Sequence, residues 1–488
     1  MNQVKNITVV GGGSSGLIAA LILKESLDVD INLIYSSKIG TIGVGEGTTG
    51  NFNQFLEFVG IKPSEIIKEC DATFKIGIMF EDWIKGSKFL HVIQRPFASS
   101  RFGQYNPIFG KEISSNGNNY IYSNYIKNNL VQENAIDVDL YPPVTEYHFN
   151  TFKLNDFLQK VATKKGINLF DDEIVDVILD DYGNIDKVVG LKSTYKSDLY
   201  IDATGFKKIL MNKLGAKWIS FDKYLKMKSA IVFLSEDEEE YNYWTLAKAM
   251  NAGWMFKTPV WGRHGNGYIF DSDFIDAENA KLEIEKTFGR KIEIGKQINF
   301  NVGMIDNVWI KNCVAIGLSG SFFEPLEASS IGLTIQQASL LRHKIANYDE
   351  NVIKEYNNSF KKMVENVRDF VVLHYLTKRN DTEFWKNILN LELPDSLKSN
   401  LEKWKTKLPI DEDFKDSSNF ILYNADSFTV LMAGLNLFDK EAILKEYSLI
   451  SKKIKISAEN ITKIEKTKED ISSFLSHKKI LEIIRNKG

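Results

Sequence analysis

A β-branched run followed by a glycine-rich turn and a helical segment constrains the fold of this chain most strongly. Ile7–Val10 leads into Gly11-Gly12-Gly13-Ser14-Ser15-Gly16 and then into the helical pattern of Leu17–Leu27. Gly11 permits the sharp turn, Gly13 lets the backbone approach a pyrophosphate, and Gly16 allows the helix to pack closely on the strand. We therefore expect a Rossmann-like α/β domain that holds a dinucleotide on the helix N-terminus. Glycine-rich turns of this kind also occur without a cofactor.

Two later segments refine this expectation. The next strand, Ile31–Tyr35, ends in Ser36-Ser37 where an acid usually holds the ribose, so Ser36 is the candidate for that contact. Leu199–Ile201 runs into Asp202-Ala203-Thr204-Gly205, a strand and small-residue turn found in two-part FAD enzymes. A second glycine fingerprint after a strand is absent from the sequence, so we expect no dedicated NAD(P)H domain. Such a protein receives its flavin already reduced.

Composition limits the class of partner. The formal charge of −3 arises from 61 basic and 64 acidic residues in a mixed pattern, which gives no electrostatic reason to expect nucleic acid or an anionic membrane as a partner. Aromatic residues make up 12% of the 488 residues and supply rings for a core and a pocket. A small molecule is the better default partner.

Cysteine usage and hydropathy bear on metal sites and location. Cys70 and Cys313 lie far apart in the sequence without metal-ligand spacing, so neither a disulfide framework nor a structural metal is predicted, and both are expected to be small apolar fillers. The N-terminus runs directly into the first strand without a secretory signal, and no apolar run approaches the ~20 residues of a membrane span. We expect a soluble cytoplasmic protein.

The chain divides by pattern into three interleaved parts. Alternating apolar residues in about Trp83–Asn150 and Ala216–Asn301 predict strands of a second sheet, and from Ile331 the pattern becomes helical through Asn358–Leu376 and Ser427–Gly434. The expected division is a nucleotide-binding module over 1–82, 151–214 and 302–345, a β-rich substrate-side region over 83–150 and 215–301, and a helical C-terminal substrate-binding part over 346–488.

Two charged residues stand in positions that suit chemistry. Lys75 lies in the apolar segment Phe74-Lys75-Ile76, and Glu327 lies just before a predicted helix start, close to Glu324. Each has a structural alternative. Lys75 would be exposed if the strand around it has a polar face, and an acid at a helix start complements the helix dipole. Glu324 suits that structural role better than Glu327.

Seven segments in chain order resemble the flavin-dependent halogenases of the tryptophan-halogenase family. The segments are Gly11–Gly16, Gly43-Val44-Gly45-Glu46-Gly47-Thr48, Ala72-Thr73-Phe74-Lys75-Ile76-Gly77, Tyr147-His148-Phe149, Asp202–Phe206, Gly253-Trp254-Met255-Phe256-Lys257-Thr258-Pro259 and Gly317–Ile331. The resemblance extends to about residue 435. The family's tryptophan-x-tryptophan-x-isoleucine-proline signature is altered here, because Phe256 and Thr258 replace its second tryptophan and its isoleucine.

This resemblance implies a fold and a reaction. The fold is a Rossmann-like FAD domain of the two-part flavin monooxygenase type, with an interleaved β-rich region and a helical C-terminal part. Family members use FADH2 from a separate flavin reductase and O2 to oxidise a halide to a hypohalous acid, which moves through an internal tunnel to an aromatic substrate. Lys75 then corresponds to the lysine that orients or captures the oxidant, and Glu327 to the acid that positions it and accepts the ring proton.

The resemblance also implies binding residues. Ser329 and Ser330, at the helix start, correspond to the halide site, and Gly43–Thr48 resembles the family's flavin strap, a loop that links the cofactor and substrate sites. The tunnel and substrate residues would be Trp254, Phe256, Pro259 and Phe428. The remaining cofactor contacts are expected from Gly11, Gly13, Ser14, Ser15, Gly16, Ser36, Gly43, Val44, Gly45, Asp202, Gly205, Gly317 and Ile331. His148 is interpreted as a structural hydrogen-bonding residue.

Two other functions remain open at this level. A flavin monooxygenase would hydroxylate its aromatic substrate directly, and a non-catalytic FAD-binding protein would explain the missing ribose acid and the altered tryptophan signature. The sequence leaves undetermined which indole, phenol or carrier-bound group is the substrate, which of bromide, iodide and chloride is used, and whether the chain forms a homo-oligomer.

Overall fold

The structure is a computed structural model that describes residues 4–40, 46–93, 128–140, 145–414, 420–453, 455 and 471–487. The strands are β1 (Asn6–Val10), β2 (Asp30–Tyr35), β3 (Glu46–Gly47), β4 (Thr73–Lys75), β5 (Gly77–Glu81), β6 (Lys88–Val92), β7 (Leu130–Gln132), β8 (Glu146–Phe149), β9 (Asn168–Asp171), β10 (Ile174–Leu179), β11 (Ile185–Gly190), β12 (Thr194–Tyr195), β13 (Leu199–Asp202), β14 (Trp218–Ser220), β15 (Ser229–Ser235), β16 (Trp244–Ala249), β17 (Gly253–Val260), β18 (Arg263–Phe270), β19 (Lys296–Asn299), β20 (Gly303–Ile305), β21 (Trp309–Ile310), β22 (Cys313–Ala315), β23 (Ser321–Phe322) and β24 (Phe474–Ser476). The helices are α1 (Ser14–Ser26), α2 (Phe52–Val59), α3 (Pro63–Glu69), α4 (Thr151–Lys164), α5 (Ile209–Lys213), α6 (Ala277–Phe288), α7 (Ser329–Lys344), α8 (Glu350–His374), α9 (Glu383–Ile388), α10 (Asp395–Trp404), α11 (Ala425–Gly434), α12 (Lys440–Leu449) and α13 (His477–Asn486).

The nucleotide-type sheet has six strands in the order β21-β22-β13-β1-β2-β9. β1 pairs in parallel with both β2 and β13, with Ile7 opposite Ile31 on one side and Leu199 on the other. Ile7, Thr8 and Val9 are all buried, as expected for a parallel sheet covered on both faces. The predicted strands Ile7–Val10, Ile31–Tyr35 and Leu199–Ile201, and with them the α/β class, are confirmed.

The glycine turn after β1 shows why small residues are required there. Gly11 has φ +122°, and a Cβ at this position would lie 2.1 Å from the Ala203 carbonyl oxygen. Gly16 packs against Gly11, whereas the space around Gly13 is open. The turn therefore packs tightly against the end of β13 and leaves room for a ligand beside Gly13.

The second sheet has seven strands in the order β19-β15-β18-β17-β16-β5-β6. One face packs against α6 through a small core that includes Ile231, Phe233 and Tyr268. Neighbouring residues on the opposite face, such as Val232 and Phe256, line a cavity. β5 belongs to this sheet, so the β-rich region begins at Gly77 and not after residue 82, where the sequence pattern placed the boundary.

Helices cover the C-terminal part, as the pattern from Ile331 predicted. α7 packs between α1 and α8, and α11 contacts β6. The last helix, α13, returns to the N-terminal part, where Arg485 pairs with Asp71 and His477 accepts a hydrogen bond from the Phe74 amide. Cys70 and Cys313 are buried. Across the described residues, no helix has both the length and the apolar character needed to cross a membrane.

Gly16 and Gly13 provide a matched pair of substitutions in one turn. A Cβ at Gly16 lies 2.0 Å from the Gly11 carbonyl oxygen, whereas a Cβ at Gly13 has no atom within 4 Å. We expect Gly16→Ala to lower the free energy of unfolding by roughly 1–3 kcal/mol, because the backbone has to move. Gly13→Ala should change it by less than about 0.5 kcal/mol. Urea denaturation checks this, and equal midpoints for both variants would contradict the packing role of Gly16.

Candidate active site

A cavity of about 450 Å³ lies between one face of the seven-stranded sheet and the start of α7. Trp254, Phe256 and Ile269 line it from the sheet, and Lys75 reaches it from β4. Ser329, Ser330 and Ile331, at the start of α7, also line it. The cavity thus brings together residues from separate segments that the sequence motifs had marked.

Lys75 is fully buried on this cavity wall. Its Nζ donates a hydrogen bond to the Thr48 carbonyl oxygen at 2.9 Å, and its strand pairs with β8 so that Lys75 lies opposite Glu146. Burial lowers the pKa of Lys75 from 10.5 to about 8, although Glu327 and Glu146 act to raise it. The alternative of an exposed lysine is wrong, and both the amine and the ammonium form are accessible near neutral pH.

The segment after β3 connects Lys75 to the start of α7. Thr48 supplies the carbonyl group that Lys75 binds, and its hydroxyl donates to Glu146 at 3.1 Å. Three residues later, the Asn51 side chain donates to the Gly332 carbonyl oxygen at 2.8 Å. Of the predicted strap, Gly43–Thr48, the residues Gly43, Val44 and Gly45 lie outside the described residues. Its described part, residues 46–48, and the following segment to Asn51, which we call the strap continuation, contact both Lys75 and the start of α7.

Glu327 lies in a short 3-10 turn, Pro325–Glu327, which ends at Ala328 in the left-handed conformation with φ +53°. Its carboxylate is buried between two histidines. Both carboxylate oxygens lie 2.9 Å from His91 Nδ1, and Oε1 lies 2.8 Å from His374 Nε2. Burial alone would raise the Glu327 pKa, but the two histidines lower it from 4.5 to about 2. Glu327 is therefore a carboxylate throughout the physiological range.

The hydrogen bonds of His374 hold it between two acceptors. His374 Nδ1 lies 2.8 Å from the Phe370 carbonyl oxygen, which only accepts, while Nε2 lies 2.8 Å from the Glu327 carboxylate. The contacts with His374 and His91 fix the carboxylate in place. Tyr423, from the C-terminal part, also holds the turn by donating to the Glu327 carbonyl oxygen at 3.2 Å.

The start of α7 forms a second feature of the cavity. The helix begins at Ser329, has no side-chain cap at Ala328, and has no acid in its first turn. Amide groups at an uncapped helix start point outward and carry the positive end of the helix dipole. This wall of the cavity therefore suits a small anion.

Glu324 occupies a different environment from Glu327. Its Oε2 accepts hydrogen bonds from Trp254 Nε1 at 2.8 Å and from the Tyr375 hydroxyl at 2.7 Å. Burial raises the Glu324 pKa to about 7, against the effect of those two donors. Because it fixes the Trp254 indole, Glu324 holds the cavity wall. Glu324 and Glu327 therefore differ in pKa because their hydrogen-bond partners differ.

A family model described as tryptophan halogenase matches residues 6–444. The tryptophan 6-halogenase of Streptomyces toxytricini is 30% identical over 451 residues, which span 83% of this chain and 85% of that protein. A flavin-dependent halogenase from Xanthomonas campestris aligns with a TM-score of 0.84 at 25% identity and covers 98% of each chain. A tryptophan halogenase from Shewanella frigidimarina shares the fold, with a TM-score of 0.91 at 23% identity over 100% of this chain and 98% of that one.

The chain belongs to the tryptophan halogenase family. The family resemblance inferred from the motifs is confirmed, and the chain is an enzyme of the flavin-dependent halogenase type. The hydroxylase and the non-catalytic FAD-binding protein, which the sequence had left open, are not favoured by these relatives.

The residues of this halogenase fit the FAD that its family implies. Gly13 faces open space, and α1 begins there without a side-chain cap or an acid in its first turn. Ser14 donates to Asn155 at 2.7 Å, and Ser15 accepts a hydrogen bond from Thr334 at 3.2 Å. A Cβ at Gly317 would lie 2.3 Å from Ser15 Oγ, so this glycine permits the close approach of the two segments. The start of α1 therefore has the space and the positive helix-dipole end that a phosphate group requires.

Asp202, Gly205 and Ser36, which were also predicted to contact the cofactor, make hydrogen bonds with other residues of the protein. Asp202 is buried, and its carboxylate accepts hydrogen bonds from the Thr204 hydroxyl at 2.7 Å and from the Leu210 amide at 2.9 Å. Ser319 donates both to Asp202 and to the Gly205 carbonyl oxygen. Asp202 therefore orders the turn around Gly205. Ser36 Oγ accepts a 3.3 Å hydrogen bond from the Lys38 amide at the end of β2.

Two predicted tunnel residues do not line the cavity. The Pro259 carbonyl oxygen accepts a hydrogen bond from Thr73 at 2.8 Å. Phe428 is buried, with its ring centroid 5.0 Å from that of Phe370. Phe370 in turn stacks on Tyr423, at 4.0 Å between centroids. Phe428 therefore supports the residues that hold Glu327.

Sequence reasoning missed His91 and His374. The chain has 6 histidines, and His91, His148, His264, His374 and His477 are buried. Few histidines, most of them buried, indicate buried polar networks. The sequence alone does not show which histidines are buried. Each of the two lies far from Glu327 along the chain, by 236 residues for His91 and 47 for His374.

Lys75 should give the protein a pH-dependent stability. The folded-state pKa is about 8 and the ordinary value is 10.5, so between these pH values the unfolded chain binds a proton that the folded protein does not. The contribution of Lys75 to the free energy of unfolding therefore rises as the pH increases from about 8 to 10.5. Below pH 8 the folded protein bears the full destabilising cost of burying the charged ammonium group. We expect Lys75→Met to be more stable than the unaltered protein at pH 7.

The difference between Lys75→Met and the unaltered protein should shrink as the pH rises through this window. Chemical denaturation of both proteins from pH 6.5 to about 10.5 measures it, and Lys257→Met, on a partly exposed lysine paired with Glu238, is the control. A stability difference that is independent of pH would contradict the lowered pKa.

Proposed function

We propose that this protein is an FADH2-dependent halogenase that halogenates an indole- or phenol-like substrate by electrophilic substitution. The proposal rests on a fully buried Lys75 in the cavity lining and on a buried, ionised Glu327 that is close enough to act on the pKa of Lys75. Bound as FADH2, the flavin would reduce O2 and supply the oxidising equivalent that converts a halide into a hypohalous acid. A separate flavin reductase would provide the FADH2, and FAD would be held by the start of α1.

The uncapped start of α7 supports binding of the halide. The amides of Ser329, Ser330 and Ile331 lie at the cavity wall, where a chloride, bromide or iodide ion would interact with the helix dipole. The strap continuation around Thr48 and Asn51 links this helix start to Lys75. The proposed halide site and Lys75 are therefore held in a fixed arrangement relative to each other.

Lys75 provides two ways to handle the oxidant. As an ammonium, it donates a hydrogen bond to the oxygen of the hypohalous acid and makes the halogen more electrophilic. As an amine, it takes the halogen to form an N–halogen bond and releases water. A pKa of about 8 makes both forms available, and the buried site keeps competing water away.

Glu327 suits the removal of the ring proton. A halogenated ring that still carries its proton is a very strong acid, so even a carboxylate with a pKa of about 2 is basic enough. Hydrogen bonds with His91 and His374 hold this carboxylate in place. Tyr423, from the C-terminal part, fixes the same turn by donating to the Glu327 carbonyl oxygen.

Lys75→Ala should abolish halogenated product and retain FAD binding. Lys257→Ala is the matched control, because Lys257 follows Phe256 on the same strand but pairs with Glu238 and does not line the cavity. Mass spectrometry of tryptophan, indole and phenol, incubated with reduced FAD and with bromide or chloride, measures the product. Halogenation by Lys75→Ala at the rate of the control would overturn the assignment. A hydroxylated product that forms without halide would overturn the proposed function.

Glu327→Gln should lower the halogenation rate by about 10²-fold or more, because a neutral amide cannot accept the ring proton. Oxygen consumption with reduced FAD should stay the same, since Glu327 does not line the 450 Å³ cavity that contains Lys75 and the start of α7. Product formation and oxygen uptake are measured on the same samples. An equal fall in both rates would contradict a role confined to the substrate side.

A further inference from the structure

A chain of hydrogen bonds runs from the interior of the protein to the sheet side of the cavity. Thr73 Oγ1 donates to the Pro259 carbonyl oxygen at 2.8 Å and lies 3.2 Å from His148 Nδ1. His148 Nε2 lies 2.8 Å from Thr245 Oγ1. Thr245 lines the same cavity as Lys75, whereas Thr73 and His148 are buried behind it.

The direction of each hydrogen bond follows from the donors available. The Pro259 carbonyl group only accepts, so the single hydroxyl proton of Thr73 is used there. His148 Nδ1 must then donate to Thr73. In a neutral imidazole the other nitrogen accepts, so the Thr245 hydroxyl donates to His148 Nε2.

The surroundings of His148 keep it neutral. Burial is the main reason that its pKa lies well below the usual 6.5, and the charge of Lys75 lowers it further. The proton of Thr245 is therefore directed away from the cavity. Its oxygen lone pairs remain for a molecule inside the cavity.

We infer that the Thr245 oxygen, held by His148, is a fixed hydrogen-bond acceptor that receives the O–H group of hypohalous acid on its way to Lys75. The inference rests on the proposed function. On this sheet face the cavity is lined by the apolar side chains of Ala247, Phe256 and Ile269 and by Thr258 of the adjacent strand β17, which also carries a hydroxyl group. Of the two threonine hydroxyl groups, that of Thr245 is held by His148 Nε2 at 2.8 Å and so presents its oxygen in a fixed orientation.

A fixed acceptor also separates the oxidant from the halide. A halide ion carries no proton to donate, and an oxygen lone pair repels it. The start of α7, which lines another part of the cavity, has the reverse character and attracts the anion. The start of α7 would therefore hold the halide, and Thr245 would receive its oxidised, protonated form.

Thr245→Val tests the inference, because valine has the same shape but lacks the hydroxyl group. Reduced FAD, bromide and a panel of indole, tryptophan and phenol are supplied, together with a water-soluble 1,3-diketone that traps hypobromous acid released into solution. Oxygen consumption should remain unchanged. The ratio of brominated aromatic product to trapped oxidant should fall about tenfold, the effect expected for loss of one hydrogen bond.

Two further variants separate positioning from folding. Thr245→Ser keeps the hydroxyl and should restore the ratio, and a melting temperature for each variant confirms the fold. Thr73→Val leaves the cavity wall intact but removes the acceptor that fixes the His148 proton. It should also lower the ratio, and an unchanged ratio would overturn the role of His148.

The outcomes distinguish this inference from the proposed function. If the unaltered protein brominates none of the panel, the proposed function is overturned and the inference falls with it. If the unaltered protein brominates a substrate and Thr245→Val gives the same ratio of product to trapped oxidant, the inference alone is overturned. A fall in Thr245→Val that Thr245→Ser does not reverse also overturns it.

Discussion

The burial of the Lys75 ammonium group is the constraint that organises the site. An amine that is removed from water requires a fixed partner, and the Thr48 carbonyl oxygen supplies it at 2.9 Å. Gly47 leaves room beside it, since a Cβ there would lie 2.7 Å from Lys75 Nζ and the lysine side chain would have to shift. Thr48 and the strand pair β4–β8 enclose the lysine, and Asn51 connects this enclosure to the start of α7. Its lowered pKa is a direct result of this enclosure.

Two acids close in sequence acquire opposite properties from their partners. Glu324 contacts neutral donors, Trp254 and Tyr375, and burial brings its pKa to about 7. Glu327 contacts His91 and His374, and its pKa falls to about 2. Each acid contacts one residue of the seven-stranded sheet and one residue at the end of α8, namely Trp254 and Tyr375 for Glu324 and His91 and His374 for Glu327. The difference in pKa therefore comes from the chemistry of the partners, because the elements that supply them are the same.

Sequence patterns predicted those parts of the structure that depend on residues close together in the chain. The strand, glycine turn and helix at Ile7–Leu27 need no distant partner to be recognised, and the steric contacts of Gly11 and Gly16 explain why. Lys75 and Glu327 followed from the family motifs. The histidine pair around Glu327 could not be predicted, because it depends on the meeting of β6, α8 and the 3-10 turn, which are distant in the chain. For Asp202 the motif was recognised from the sequence, but the type of contact was not. Its carboxylate accepts hydrogen bonds from Thr204 and Leu210, in the turn that follows its own strand.

The titration of Lys75 is the sharpest test of its enclosure. Lysine labelled with ¹³C at Cε reports the charge of each Nζ by NMR, and a Lys75→Ala sample assigns the signal. We expect one lysine to titrate near pH 8, clearly below the ordinary value of 10.5. If the assigned signal titrates near 10.5 with the exposed lysines, the ammonium group is solvated and the enclosed lysine on which the site is built does not exist.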